Sequence, residues 1–267
     1  MTRAISALGV PVTGGVSYVG ALARLLVETC VWLGRGLFVP KVRIGRTAIY
    51  AQVVRLGVRP VGVVMLVQAC IGMILALQMA PPLNDFGQTD LVANIIAIAV
   101  VRELGPLVCA IVMTGFAGAA VAAEIGTMVV GEEIEALRAH ALNPTRFLVV
   151  PRVLSTVICL LVLTTLGIFT ALIGGYAMGI SVLDVPSSVY VSNTLDSLDM
   201  ADLATGLFKA GVFGMLIGAI ACYNGMSVTG GAAGVGKATT NTVVHSIVMI
   251  IFTDMLFVAL FYKLGWT

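Results

Sequence analysis

The sequence predicts an all-α integral membrane protein, with an N-terminal interfacial amphipathic helix, about five transmembrane helices and a short helix on the cytoplasmic side. Composition is the first observation behind this. The 267 residues are 59% hydrophobic and only 10% charged, with mean hydropathy +1.07, whereas soluble domains carry roughly 25% charged residues. The second is a set of uncharged runs. Residues 61–77, 104–123, 153–183 and 210–236 contain no Asp, Glu, Lys, Arg or His, and 238–262 is interrupted only by His245 and Asp254. A helix needs roughly 20 apolar residues to cross about 30 Å of hydrocarbon. Segments this long and non-alternating do not suit barrel strands, and open sheets are excluded inside lipid.

Charge distribution is the third observation. Residues 1–59 hold eight Lys/Arg and one acid, Glu28; 81–90 holds two acids and no base, and 181–202 four acids and no base. Basic segments favour the cytoplasmic side. The N-terminal region (1–59), 131–152 and the Lys237 loop are therefore expected inside, and the two acidic loops outside. That alternation fits five spans with the C-terminus outside, in a transmembrane domain over 60–267 with spans at about 60–80, 91–128, 147–180, 205–226 and 241–263. Lys209 and Lys263 sit against the pattern. A positive n-region followed by a long apolar core is missing near Met1, so no cleavable signal is expected.

Taken in order, residues 13–35 read as a helix in the membrane surface. Arg24, Glu28 and Arg35 fall within roughly 40° of one another, opposite Leu22, Leu26 and Leu33, and Trp32 supplies an interfacial anchor. Lys41, Arg43, Arg46, Arg55 and Arg59 then face anionic headgroups; nucleic-acid binding would need more charge on a soluble surface. In the second span, Gly105-Pro106 predicts a break or kink near 105. Just before it, Arg102 and Glu103 are functional candidates, because an ionisable group inside a span is costly unless paired or facing water. The plainer reading is a structural ion pair. Glu124 and Asp254 raise the same question. Gly115, Gly118, Ala119, Ala122 and Ala123, with the pairs Gly175/Gly179 and Gly214/Gly218, give the small-residue spacing that lets helices approach closely in lipid.

Residues 131–152 form the longest charged insertion, too short for a catalytic domain. Residues 132–142 read as a short amphipathic helix with Ile134, Leu137 and Ala141 on one face and acids on its flanks. Asn143 supplies an N-cap and Pro144 a first-turn proline for the next helix, and Pro151 suggests a bend. Such a helix hung between two spans is the means by which ABC permeases meet their ATPases; a solvated connector would need no apolar face.

Gly231, Gly234, Gly236 and Lys237 imitate a phosphate-binding loop. Ala238 stands where the magnesium-binding Ser/Thr belongs, and neither a preceding strand nor an α/β domain is present. A flexible cytoplasmic loop is the expectation. Cys30, Cys70, Cys109, Cys159 and Cys222 show no CxxC spacing and are read as small buried hydrophobes. Neither a metal site, a cofactor nor a catalytic residue is expected.

Together, Arg102-Glu103-Leu104-Gly105-Pro106, residues 123–128, residues 132–137, Asn143-Pro144 and Val150-Pro151-Arg152 resemble the MlaE/YrbE family, the permease subunits of Mce-associated ABC lipid transporters. Residues 234–240 and 242–246 are similar to its final cytoplasmic loop and last helix. The resemblance implies a homodimer bound to two copies of an ABC ATPase subunit and to a periplasmic Mce-domain (MlaD-like) hexamer. Its substrate would be phospholipid moved between the inner and outer membranes, and its location the bacterial inner membrane, multi-pass. It makes the 132–142 segment the coupling helix, with Glu132, Glu133, Ile134, Glu135, Leu137, Arg138 and His140 facing the ATPase. Arg102, Glu103, Met73, Ile74, Leu77 and Gln78 would lie near the lipid cavity. Ala141 departs from the family, in which many members carry glycine there. Two other readings compete. An ion-coupled secondary transporter would use Glu103, His245 and Asp254, but shows no inverted repeat. A membrane-embedded enzyme would need a His-rich or Asp-rich cluster at one depth.

Overall fold

The structure, a computed structural model, describes residues 2–38 and 46–265; Lys41 and Arg43 of the basic approach lie outside the described residues. Every regular element among the described residues is helical. Two helices precede the spans, α1 (Thr2–Phe38) and α2 (Arg46–Gly57). Five are long and apolar enough to cross a membrane: α3 (Val61–Asp85), α4 (Thr89–Val130), α6 (Thr145–Ser181), α8 (Met200–Met226) and α9 (Gly231–Leu264). Between them sit α5 (Glu133–Ala139), joining α4 to α6, and α7 (Ser187–Asp196), joining α6 to α8.

Helices α4, α6 and α8 form the centre of the bundle, with α3 packed on α6 and α9 packed on α4 and α8. Glycine sets how closely they approach. A Cβ on Gly72 of α3 would lie 1.9 Å from the Ala171 carbonyl oxygen of α6, and one on Gly174 would lie 2.3 Å from that of Ala69. Gly214 and Gly218 bring α8 against Val157 and Val153 in the same way. The expected small-residue contacts are thus real there. At Gly179 the partner differs: it makes room for the Tyr190 ring of α7, not for another span. Gly115 has open space around it.

The main core runs through Cys109, Met113 and Ile125 of α4, Leu160 of α6, Phe213 and Ile217 of α8 and Ile250 of α9. A second cluster, with Val92, Ile96, Ile168 and Ala171, lies toward the α7 end. Of the cysteines, Cys109, Cys159 and Cys222 are buried, whereas Cys30 is exposed on α1, against expectation.

Two further expectations are refined and one is corrected. Helix α4 does not break at Gly105-Pro106. It widens into a π-turn at Val100–Leu104 and continues through Gly105–Met113 to a second π-turn at Thr114–Gly118. A wider turn accommodates the missing proline N–H and relieves the clash with the preceding turn. Pro151 is absorbed similarly, in the first α-helical turn after a π-turn at Thr145–Val149. The supposed flexible loop around Gly231–Lys237 is the start of α9, entered through positive φ at Gly230 (86°) and Gly231 (68°). Its Val235, with Val228 just before the helix, packs over Gly126 of α4, which ties this segment to the bundle.

Candidate functional site

The π-turn in α4 presents Arg102 and Glu103 to different neighbours. Arg102 Nε donates to Asp202 Oδ1 at 2.6 Å. Asp202 also closes the N-terminus of α8: its side chain accepts from the Asp199 backbone N–H at 3.1 Å, within a capping box. About two turns further along α8, Lys209 is 1% exposed. Its Nζ meets Glu103 Oε1 of α4 at 2.6 Å and Asp254 Oδ1 of α9 at 3.1 Å, and lies 5.8 Å from the Phe261 ring centroid, within cation–π range. Lys209, which the charge count sets on or near the wrong side, lies within the expected span of 205–226 and turns inward. It is a buried cation between two carboxylates, and it joins three spans.

The four α3 candidates point away from the packed face of their helix, where Ala76 clusters with Val100 and Val101 of the π-turn. Ile74, Leu77 and Gln78 are exposed and Met73 is half-buried. What links α3 to the end of the π-turn is Gln68, which no sequence pattern singles out. Fully buried, it donates Nε2 to the Gly105 carbonyl at 2.9 Å.

At the other end, α5 docks by its apolar side. Ile134 is buried and Leu137 partly buried in the main core with Leu148 and Val149. Glu132, Glu133, Glu135, Arg138 and His140 are exposed. Beside them is an open depression of about 460 Å³ lined by Met128, Ala136, Leu137, Phe147 and others. The helix ends at Ala139, so Ala141 is not on its apolar stripe; it is exposed, with φ 59°. Its N–H bonds the Arg138 carbonyl at 2.9 Å, and that of Leu142 bonds Leu137 at 3.0 Å, the paired reversal that usually calls for glycine. This explains why glycine suits the position. Asn143 caps α6 as expected: Oδ1 accepts from the Thr145 N–H at 2.8 Å, while Nδ2 donates to Glu28 of α1 at 3.3 Å. Nearby, the Arg146 guanidinium lies 5.5 Å from the Trp32 ring centroid. Glu28 and Trp32, read as facing water and lipid headgroups, thus touch the segment that follows α5.

Sequence reasoning missed two polar groupings at this end. Glu124 binds Arg152 and Arg55, each on a different helix. Tyr18 of α1 donates to Asn224 Oδ1 at 3.3 Å, Asn224 Nδ2 donates to Thr242 Oγ1 at 3.0 Å, and His245 Nδ1 lies 3.2 Å from the Tyr18 hydroxyl. Burial pushes the Tyr18 phenol up to about 12, so it remains a donor across physiological pH. His245 is nine residues from Asp254 on α9, about 13 Å along the helix. The structure therefore does not bring together the three groups that an ion relay would use. Among the described residues no three His, Cys, Asp or Glu side chains are grouped to hold a metal ion.

Five apolar spans, charges paired inside the bundle and a short helix docked between two spans define a polytopic helical membrane protein. Comparison with known proteins narrows the class. The family described as Permease MlaE matches residues 49–260. The Haemophilus influenzae "Intermembrane phospholipid transport system permease protein MlaE" is 31% identical over 259 residues, covering 94% of this chain and 99% of that protein. A Rickettsia felis "Probable ABC transporter permease protein" is 37% identical over 215 residues, covering 80% and 83%. The Arabidopsis thaliana "Protein TRIGALACTOSYLDIACYLGLYCEROL 1, chloroplastic" is 31% identical over 212 residues, covering 79% of this chain and 61% of that protein. The chain belongs to the MlaE permease family and is an ABC transporter permease.

Proposed function

We propose that the protein is the membrane subunit of an ABC transporter that moves phospholipids between the inner and outer membranes of a diderm bacterium, energised by two copies of a separate ATPase. The observation that carries this reading is α5: a short helix hung between two spans, held to the bundle by Ile134 and Leu137, with Glu132, Glu133, Glu135, Arg138 and His140 turned outward. ATP-driven closure of the ATPase pair pushes these helices. Two permease halves then alternately open and squeeze a central cavity. The homodimer is supported by α3 and α9, whose most apolar windows are only 22% and 17% buried, against 44% to 50% for the other three spans. Their outer faces suit lipid or a second copy. A Mce-domain hexamer would carry lipid onward from the outward side.

Within each half, Met73, Ile74, Leu77 and Gln78 would face acyl chains. Arg102 would meet the phosphate: its Nε is engaged by Asp202, which leaves the terminal nitrogens of the guanidinium to donate charge-assisted hydrogen bonds. Glu103, held by Lys209, would exclude a second anion from the same place. The test is to purify the tagged chain from its native host, identify its partners and lipids by mass spectrometry, and reconstitute the complex with labelled phospholipid. ATP-dependent lipid movement is expected. Absence of any co-purifying ATPase, or movement driven by a proton gradient alone, would overturn the proposal.

A further inference from the structure

Glu124 and Arg152 belong neither to the lipid contacts nor to the docking face, yet they are bonded to each other and to a third element. Glu124 Oε1 of α4 accepts from Arg152 Nη2 of α6 at 2.8 Å, and Oε2 faces Arg55 Nη1 of α2 at 3.1 Å. Gln52 of α2 reaches Oε1 at 3.5 Å. Arg152 is 6% exposed and spends Nη1 on the Leu148 carbonyl, 2.9 Å away within its own helix. One carboxylate therefore holds α2, α4 and α6 together.

Its location gives the arrangement mechanical meaning. Glu124 stands six residues before the end of α4 at Val130, and Arg152 seven residues after the start of α6 at Thr145. Everything from 131 to 144, including α5, hangs beyond that tie. The hanging segment changes direction at left-handed residues Glu132 and Ala141 and runs into the π-turn Thr145–Val149, so it is not one continuous helix with either span. Displacing α5 can therefore spread the ends of α4 and α6 apart, or it can move both helices as one piece. A partly buried charge-assisted bond across the hairpin opposes spreading.

We infer that Glu124 is a positioning residue for energy coupling: by binding Arg152 and Arg55 at once, it makes the α4–α5–α6 hairpin and α2 a single lever, so that a push on α5 reaches both spans. This rests on the proposed ATP-driven function. The test uses the full complex with its ATPase, reconstituted in vesicles of phosphatidylethanolamine and phosphatidylglycerol with labelled phospholipid. Lipid moved per ATP hydrolysed is read at matched amounts of assembled complex, a ratio that partial misfolding does not change. Glu124→Gln is expected to lower that ratio roughly fivefold, the scale on which single residues alter coupling between sites, with basal ATP hydrolysis kept. Arg55→Gln, at a half-exposed position, is expected to lower it about twofold and decides the matter if Glu124→Gln fails to assemble. An unchanged ratio in the assembled variants overturns the inference alone. Absence of ATP-driven lipid movement by the unaltered complex overturns the proposed function with it.

Discussion

Lys209 has almost no contact with solvent, and its ammonium is matched by Glu103 at 2.6 Å and Asp254 at 3.1 Å. Removing one member of a buried ionic group leaves the others uncompensated, which costs about 3–5 kcal/mol. Lys209→Met keeps the length of the side chain and deletes its charge. The purified protein in detergent is expected to lose about 3 kcal/mol, read as a lower thermal midpoint, and adding Glu103→Gln should recover part of it. A single variant as stable as the parent would contradict this account. Glu103, beside Arg102, and Asp254 could be selected from sequence because ionisable residues within an apolar span stand out. Lys209 could not be placed, because counting charges near span ends does not reveal which side chains turn inward. Its bond to Glu103 spans 106 positions, and no periodicity encodes that.

Among the elements, the five spans were legible because nothing but helix satisfies a backbone in lipid, and uncharged runs mark where that condition holds. Local irregularities were not. The π-turns at Val100–Leu104 and Thr145–Val149 each precede a proline by two residues, which does not reveal whether a helix breaks, kinks or widens, and Thr114–Gly118 has no such marker. Helix α5 was read correctly at Ile134 and Leu137 and wrongly at Ala141, because alanine conceals a left-handed reversal that glycine would have announced. An L-residue in that conformation costs roughly 1 kcal/mol. Ala141→Gly is therefore expected to stabilise the end of α5 by about 1 kcal/mol, seen as slower hydrogen exchange of the Ala141 and Leu142 amides. Faster exchange would show that the freedom gained in the unfolded chain outweighs the relieved strain.

For the molecule as a whole, the exposed acids of α5 bear on the proposed contact with an ATPase. Glu135→Arg reverses one charge on a surface helix whose apolar side stays docked, so the bundle is expected to fold while lipid-stimulated ATP hydrolysis by the complex falls several-fold. Unchanged stimulation would place the contact elsewhere. Sequence separated the apolar and polar sides of this segment because the two lie on one short helix. It could not reveal that Asn143 and Arg146 meet Glu28 and Trp32 of α1, since that requires knowing where an interfacial helix comes to rest.

The triad around Lys209 also sets a schedule for biosynthesis. Glu103 leaves the ribosome 106 residues before Lys209, roughly 5–20 s earlier at ordinary elongation rates, and Asp254 follows last. Until α8 emerges, Arg102 and Glu103 have only each other to offset the cost of charge in an inserting helix. When Lys209 arrives, a carboxylate is already waiting in the bilayer, and α9 later completes the shell around it. Lys209 thus enters the membrane with a counter-charge provided in advance by the order of the gene.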